Sequence, residues 1–216
     1  FLKALSKDIF EEFLHSCGVE ALGKQIEDLY SLTRGYYFYT ALAAKAIQAM
    51  HITPAELVEK IKQSELSFDA FIGVTYVNLI PTSIRNFFWF LRCVRHGLSL
   101  NALAVFEIYD EFSLDYLKSN LLIFQAGDMV YLQDYFAQKV DIVIPEKTAI
   151  KLHKYVIGIY ESQVKEPLKT RVVMLSRQAL RSEIEYHGAK IKELENKTKI
   201  KNTADDSETK KEKKAT

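Results

Sequence analysis

Along the first 66 residues the apolar positions recur at steps of three and four, the period of a helix with one buried face. Phe10, Phe13 and Leu14 share one such face. Ser6 or Asp8 is placed to cap that helix, Asp8 and Glu11 resemble a capping box, and Gly18 ends it. Leu22, Ile26, Leu29 and Tyr30 form the next stripe, which Gly35 breaks. From Phe38 onward Leu42, Ala46 and Ile47 resume it, and the small residues of ALAAKA permit close helix contact. Thr53-Pro54-Ala55-Glu56 is a start signal, with a capping Thr, Pro at the first helical position and Glu three residues on. Leu57, Val58 and Ile61 then face inward. The pattern predicts a small bundle of four short helices over 1–66.

The stretch 67–80, SFDAFIGVTYVNLI, reads as a connecting helix stopped at Pro81. Over 81–144 the pattern changes. Ile84, Phe87, Phe88, Leu91 and Val94 make one helix, closed by Gly97. Ser99 opens a short one with Leu100, Leu103 and Phe106. Ser113 is placed to cap a third, with Leu114, Leu117 and Leu121 buried. Two short apolar runs then flank Ala126-Gly127-Asp128, a hairpin signal. Helices followed by a β-hairpin are the layout of a winged helix. The segment 145–195 returns to helix, with Ile150, His153, Ile157, Tyr160 and Val164 on one stripe, an interruption at Pro167, and Leu180, Ile184, His187, Ile191 and Leu194 on a second. This extension is an antiparallel pair or the first unit of a helical array. The tail 196–216 has almost no apolar residues to repay ordering entropy and is expected to be disordered. The expected class is therefore mostly α: a helical bundle, a winged helix with a short hairpin, and a C-terminal helical extension.

Composition narrows this picture little. The chain has 216 residues, 48% hydrophobic and 26% charged, with a net charge of +1, so nothing pulls it as a whole toward nucleic acid or anionic lipid. Cys17 and Cys93 stand far apart and fit a reducing, cytoplasmic compartment. No apolar run reaches the roughly 18 residues of a membrane span. With Asp8 and Glu11 so early, the first residues are not expected to be a signal peptide. There is no initiator Met, and the chain is expected to be a fragment of something longer.

The segment IEDLYSLTRGYYFYTALA carries the most specific signal. It resembles the lid of STAND-type ATPases within the AAA+ group, where a helix runs into a Thr-Gly-Gly-x-Pro or Gly-Leu-Pro turn and the next helix lies over the bound nucleotide. Thr33 and Gly35 match that turn, and Tyr37 stands where the family has Pro. A second match follows the hairpin. In VYLQDYF, Leu132, Gln133 and Asp134 fall on the family's Met-His-Asp motif, with Gln133 in place of the His that reads the phosphate and Asp134 retained. The resemblance covers roughly residues 5–140. It implies nucleotide contacts at Arg34, Gly35, Tyr37, Gln133 and Asp134. It also implies ATP or ADP with Mg²⁺ in the parent protein, and an upstream nucleotide-binding domain as the first partner. Self-assembly or another protein partner is the further expectation.

No G-x-x-x-x-G-K-[ST] occurs in the chain, so by itself it is not expected to be an enzyme and needs no cofactor, while the parent protein is expected to be an ATPase. Duplex DNA is a weaker reading, because the expected recognition helix SLDYLKSNLL offers only Lys118 and Asn120 and the wing carries Asp128. Arg85, Arg92, Arg95 and His96 form a loose basic stripe, either a solvated face or a surface for docking an acidic partner. Glu183 and His187 have the i, i+4 spacing of metal ligands but lack complementary donors, so no metal is expected. Cys93 reads as core. The function expected is regulatory, coupling nucleotide state to domain packing or assembly; the alternatives are a nucleotide-free interaction scaffold and a DNA-binding regulator.

Overall fold

Thr53 shows how local chemistry sets the helices of this chain. The Glu56 N–H donates to its hydroxyl at 3.3 Å, and its own N–H donates to the Glu56 carboxylate at 2.7 Å. Pro54 takes the first helical position. Two donors that no helix can satisfy internally are thereby satisfied. The computed structural model describes residues 4–103, 110–140, 142–165 and 173–212. Its first half runs α1 (Lys7–Ser16), α2 (Lys24–Thr33), α3 (Tyr37–Met50), α4 (Pro54–Ser64), α5 (Phe68–Phe71) and α6 (Thr82–Val94). Then come β1 (Leu98–Ser99), α7 (Leu100–Leu103), α8 (Glu111–Ser119), β2 (Ile123–Ala126), β3 (Met129–Leu132), α9 (Glu146–Lys165) and α10 (Arg177–Glu212). The chain is mostly helical, with a three-stranded sheet in the order β1-β3-β2. β2 and β3 form a hairpin around Gly127, whose φ of 62° suits a two-residue turn. β1 pairs antiparallel with β3, Leu98 opposite Val130 and Ser99 opposite Met129.

The chain divides into two compact units, neither continuous in sequence. The first comprises Phe1–Arg85, Glu111–Phe124 and Gln133–Val143; the second Asn86–Asp110, Gln125–Leu132 and Ile144–Thr216. The segment 81–144 is thus shared between them rather than forming a unit of its own. In the first unit Phe10, Leu14, Leu29, Leu42 and Leu57 from α1 to α4 are buried. Each such side chain contributes roughly 1.5–3 kcal/mol by leaving water. After α5 the winding loosens into a π-helical turn (Ile72–Tyr76) and tightens into a 3₁₀ turn (Val77–Leu79). There the buried Tyr76 hydroxyl donates to the Asn120 carbonyl at 3.1 Å. In the second unit Phe87, Phe88, Phe90 and Val94 of α6 are buried completely. α9 and α10 pack antiparallel: Glu146 meets Thr198 at one end, and Gln163 holds both backbone groups of Val173 near the other.

Several expectations change. Ser6 is the N-cap of α1, but its side chain makes no capping bond, and no Asp8–Glu11 box forms. α8 starts at Glu111, so Ser113 is a buried residue inside it rather than its cap. The buried stripe of α9 is Ala149, Leu152, Val156, Ile159, Tyr160 and Gln163, shifted from the expected one. The shift follows from Tyr160 and Gln163, whose polar ends find buried backbone partners. Residues 196–212, expected to be disordered, continue α10 to Glu212. They contain no Gly or Pro to stop the helix, and Lys197 continues the ladder of charge pairs by meeting Glu193 at 2.8 Å. Phe106 and Pro167 lie outside the described residues.

Candidate functional site

The turn between α2 and α3 is built from one strained residue and one glycine. α2 ends at Arg34 in the left-handed conformation, φ 53°, and Gly35 follows at φ 64°. A Cβ on Gly35 would meet the Tyr30 ring at 2.7 Å, so side chain and conformation both demand glycine there. The turn is pinned from outside. The Leu5 N–H donates to the Gly35 carbonyl at 2.8 Å, and the Tyr30 hydroxyl donates to the Leu5 carbonyl at 2.9 Å. Thr33 is fully buried and donates to the Leu29 carbonyl. Thr40 donates to the Tyr36 carbonyl and lies 3.5 Å from the Thr33 hydroxyl, which fixes the angle at which α3 leaves. The result is that Tyr36, Tyr37, Phe38 and Tyr39 stand together at the start of α3, with no side chain capping that end.

These residues line a cavity of about 870 Å³, all of whose wall belongs to the first unit. Volumes of roughly 300–1,000 Å³ are usual for small-molecule sites. Opposite lie Phe68 and Asp69 at the start of α5. The third wall is a second π-helical turn, Tyr135–Lys139, entered through Asp134. Tyr135 joins the walls: its ring is 5.4 Å from Phe38 and 5.5 Å from Tyr39, and its hydroxyl donates to Asp69 at 2.8 Å. Burial, then that hydrogen bond, push its phenol well above the usual range, so it stays protonated. Tyr39 also touches Phe68, 6.0 Å between ring centres, and Lys139 reaches its hydroxyl at 3.5 Å.

Of the residues named from sequence, Arg34, Tyr37 and Asp134 line this cavity. Tyr37 is 52% exposed and stacks on Phe13 at 4.4 Å. Gly35 shapes the turn but is not part of the wall, and neither is Gln133, whose N–H donates to the Leu122 carbonyl at 3.0 Å and so prolongs the hairpin. Sequence reasoning missed Tyr39, Phe68, Asp69, Tyr135 and Lys139. Ser67, which caps α5 by accepting from Ala70, and the i, i+4 spacing of Tyr135 and Lys139 were the available signals.

The basic stripe is engaged within the chain. Arg85 donates to the carbonyls of Asn78 and Ile80. In the second unit Arg95 lies 3.9 Å and His96 3.3 Å from Glu183, with Arg95 also 4.0 Å above the Tyr186 ring. Arg92 is half-buried on α6. Glu183 approaches His187 at 3.8 Å, and the His187 Nδ1 is 2.7 Å from the His153 Nδ1. Among the described residues no three His, Cys, Asp or Glu side chains are grouped to hold a metal. Asn120, the amide a DNA reader would send into a groove, accepts from Tyr76 and donates to the Tyr116 carbonyl. No helix among the described residues is long and apolar enough to cross a membrane.

No protein-family model matches the chain, and no curated protein or solved structure matches it either.

Proposed function

We propose that this chain is the lid and winged-helix part of a STAND or AAA+ signal-transduction ATPase, and that it couples nucleotide state to domain packing or assembly. One observation carries the reading. Arg34 and Tyr37 from the α2–α3 turn and Asp134 from beyond the hairpin, distant in sequence, line the same cavity. The lining chemistry suits a nucleotide. Tyr37 offers an exposed face for a base, worth roughly 1–3 kcal/mol when a base stacks on an aromatic. Arg34 supplies charge for phosphate, and Asp134 supplies acceptors for ribose hydroxyls or a base amine. The chain does not turn the nucleotide over by itself, since phosphoryl transfer needs a phosphate cradle that the sequence lacks. Mg²⁺ belongs to the parent protein in this reading; the described residues offer no group of three ligands for it.

Binding couples to packing only if the nucleotide holds one arrangement of its walls better than another. A ligand touching both the α2–α3 turn and the π-helical turn after β3 meets that condition. The test is titration of the chain with fluorescent ADP and ATP. Saturable binding with Kd below about 1 mM is expected, roughly 4 kcal/mol. Tyr37→Ala and Asp134→Ala are each expected to weaken it about fivefold. A chain that binds neither nucleotide at millimolar concentration overturns the reading. It would leave the interaction scaffold, which the displacement of Gln133 from the cavity wall favours.

A further inference from the structure

We propose that Lys139, acting with Arg34, reads the phosphate in this cavity, a role the resemblance would give to Gln133; the assignment rests on the nucleotide reading above. The geometry of the π-helical turn is the first argument. Its five-residue winding closes where the Val140 N–H donates to the Tyr135 carbonyl at 3.2 Å. That winding brings Asp134, Tyr135, Gln138 and Lys139 to the cavity and leaves Phe136 and Val140 buried in the core. Such turns cost helix regularity and recur at functional sites. Gln133 lies before the turn, committed by its backbone to the hairpin.

Charge is the second argument. Lys139 and Arg34 both line the cavity, and neither forms an ion pair with a carboxylate among the described residues. Among the described residues the ammonium of Lys139 makes only the long 3.5 Å contact to the Tyr39 hydroxyl. Arg34 holds a left-handed backbone, φ 53°, uncommon for a side chain with a Cβ. Two unpaired cations on an aromatic wall suit an anionic group on a ligand whose other end stacks.

The two carboxylates decide what kind of anion. Asp69 accepts from Tyr135 at 2.8 Å, and Asp134 lines the same cavity. Both repel a bare polyphosphate. A ligand carrying phosphate at one end and amine or hydroxyl donors at the other satisfies both signs, which is the chemistry of a nucleoside di- or triphosphate.

Calorimetric titration with adenosine, ADP, ATP and tripolyphosphate tests this on the chain itself. For the unaltered chain, affinity is expected to rise from adenosine to ADP, with tripolyphosphate weaker than ATP. Lys139→Gln should lose roughly fivefold to tenfold of the ADP affinity and leave adenosine unchanged, while Lys139→Arg retains ADP binding. Gln133→Ala should bind like the unaltered chain. Lys139 is exposed, so these variants keep their fold, which melting curves verify. If Lys139→Gln binds ADP as the unaltered chain does, the assignment of Lys139 is wrong and the nucleotide reading survives. Tripolyphosphate binding as tightly as ATP would also sink the inference. Should the unaltered chain bind none of the four, the inference and the reading beneath it fall together.

Discussion

The side chain of His187 is completely buried between α9 and α10, and its burial sets up a measurable dependence of stability on pH. His153 of α9 lies 2.7 Å away, nitrogen to nitrogen, so one ring must donate and the other accept, and both cannot be cations. The Glu183 carboxylate 3.8 Å from Nε2 favours the tautomer with its proton there, leaving Nδ1 to accept from His153. Burial, then the positive charge of His153, Arg95 and His96, holds His187 down at about 4 from an ordinary 6.5. Burial, then the charge of Lys190, lowers His153 too, and the phenols of Tyr160 and Tyr186 flank the His187 ring. A folded-state value below the unfolded one means that the unfolded chain binds more protons between the two. Stability from this group is therefore fully present above pH 6.5 and is lost as pH falls toward 4.

At 1.36 kcal/mol per pH unit, the drop from 6.5 to about 4 is worth about 3 kcal/mol. The loss should be steepest between the two values. Carboxylates held low by partners, Glu56 by its capping box and Glu193 by Lys190 and Lys197, titrate below 4.5 and leave this window to the histidines. Urea unfolding followed by circular dichroism, from about pH 7.5 down to about pH 4.5, measures it on the unaltered chain and on His187→Leu. The stability difference between the two should move by about 2–3 kcal/mol in favour of the variant across that range. A difference that stays constant within about 0.5 kcal/mol would refute the account of the buried pair.

Two further outcomes follow from single positions. Gly35→Ala should destabilise by about 1–2 kcal/mol, because it combines a φ of 64° with a Cβ 2.7 Å from the Tyr30 ring; a melt identical to that of the unaltered chain would contradict the turn geometry. Cys93 is buried, with burial pushing its thiol up to about 12 against the opposing effect of Arg92, so a disulfide reagent should label only Cys17 in the folded chain and both thiols in denaturant. Rapid labelling of both thiols in the folded chain would show that the seat of Cys93 is open.

Where periodicity and punctuation agree, the sequence is readable. The Thr53 box, the stripe of α10, the apolar face of α6 and the Gly127 turn stand where their local chemistry puts them, as do Ile26 and Leu29 of α2, whereas Leu22 precedes that helix and is 73% exposed. Several of the failures share a cause, which is that the deciding contact lies well away in sequence. β1 has two residues and exists only because β3 pairs with it. The face of α9 is chosen by Tyr160, whose hydroxyl donates to the Val94 carbonyl, and by Gln163, which reaches Val173. The π-helical turns have no sequence period of their own. The second is held where Tyr135 meets Asp69, Phe38 and Tyr39. The same distance hid most of the cavity wall: Arg34 and Tyr37 can be picked out from a local turn pattern, whereas Asp69 and Lys139 gain meaning only once Tyr135 and Tyr39 bring them to one place.

That wall also bears on how a ligand could act as a signal. The edge-on contacts of Tyr135 with Phe38 and Tyr39 each contribute roughly 0.5–1.5 kcal/mol, so the α2–α3 turn and the π-helical turn are already joined without a ligand. A nucleotide entering this cavity would not have to order its walls, and its binding energy is free to favour one spacing of them over another. The element able to respond is the π-helical turn, whose loose winding can revert to a regular helix by moving one residue. Such a reversion would rotate Lys139 relative to Asp134. In the proposed assignment, loss of the phosphate contact and rewinding of this turn are then one event, and the residue that senses the phosphate is also the one that reports it.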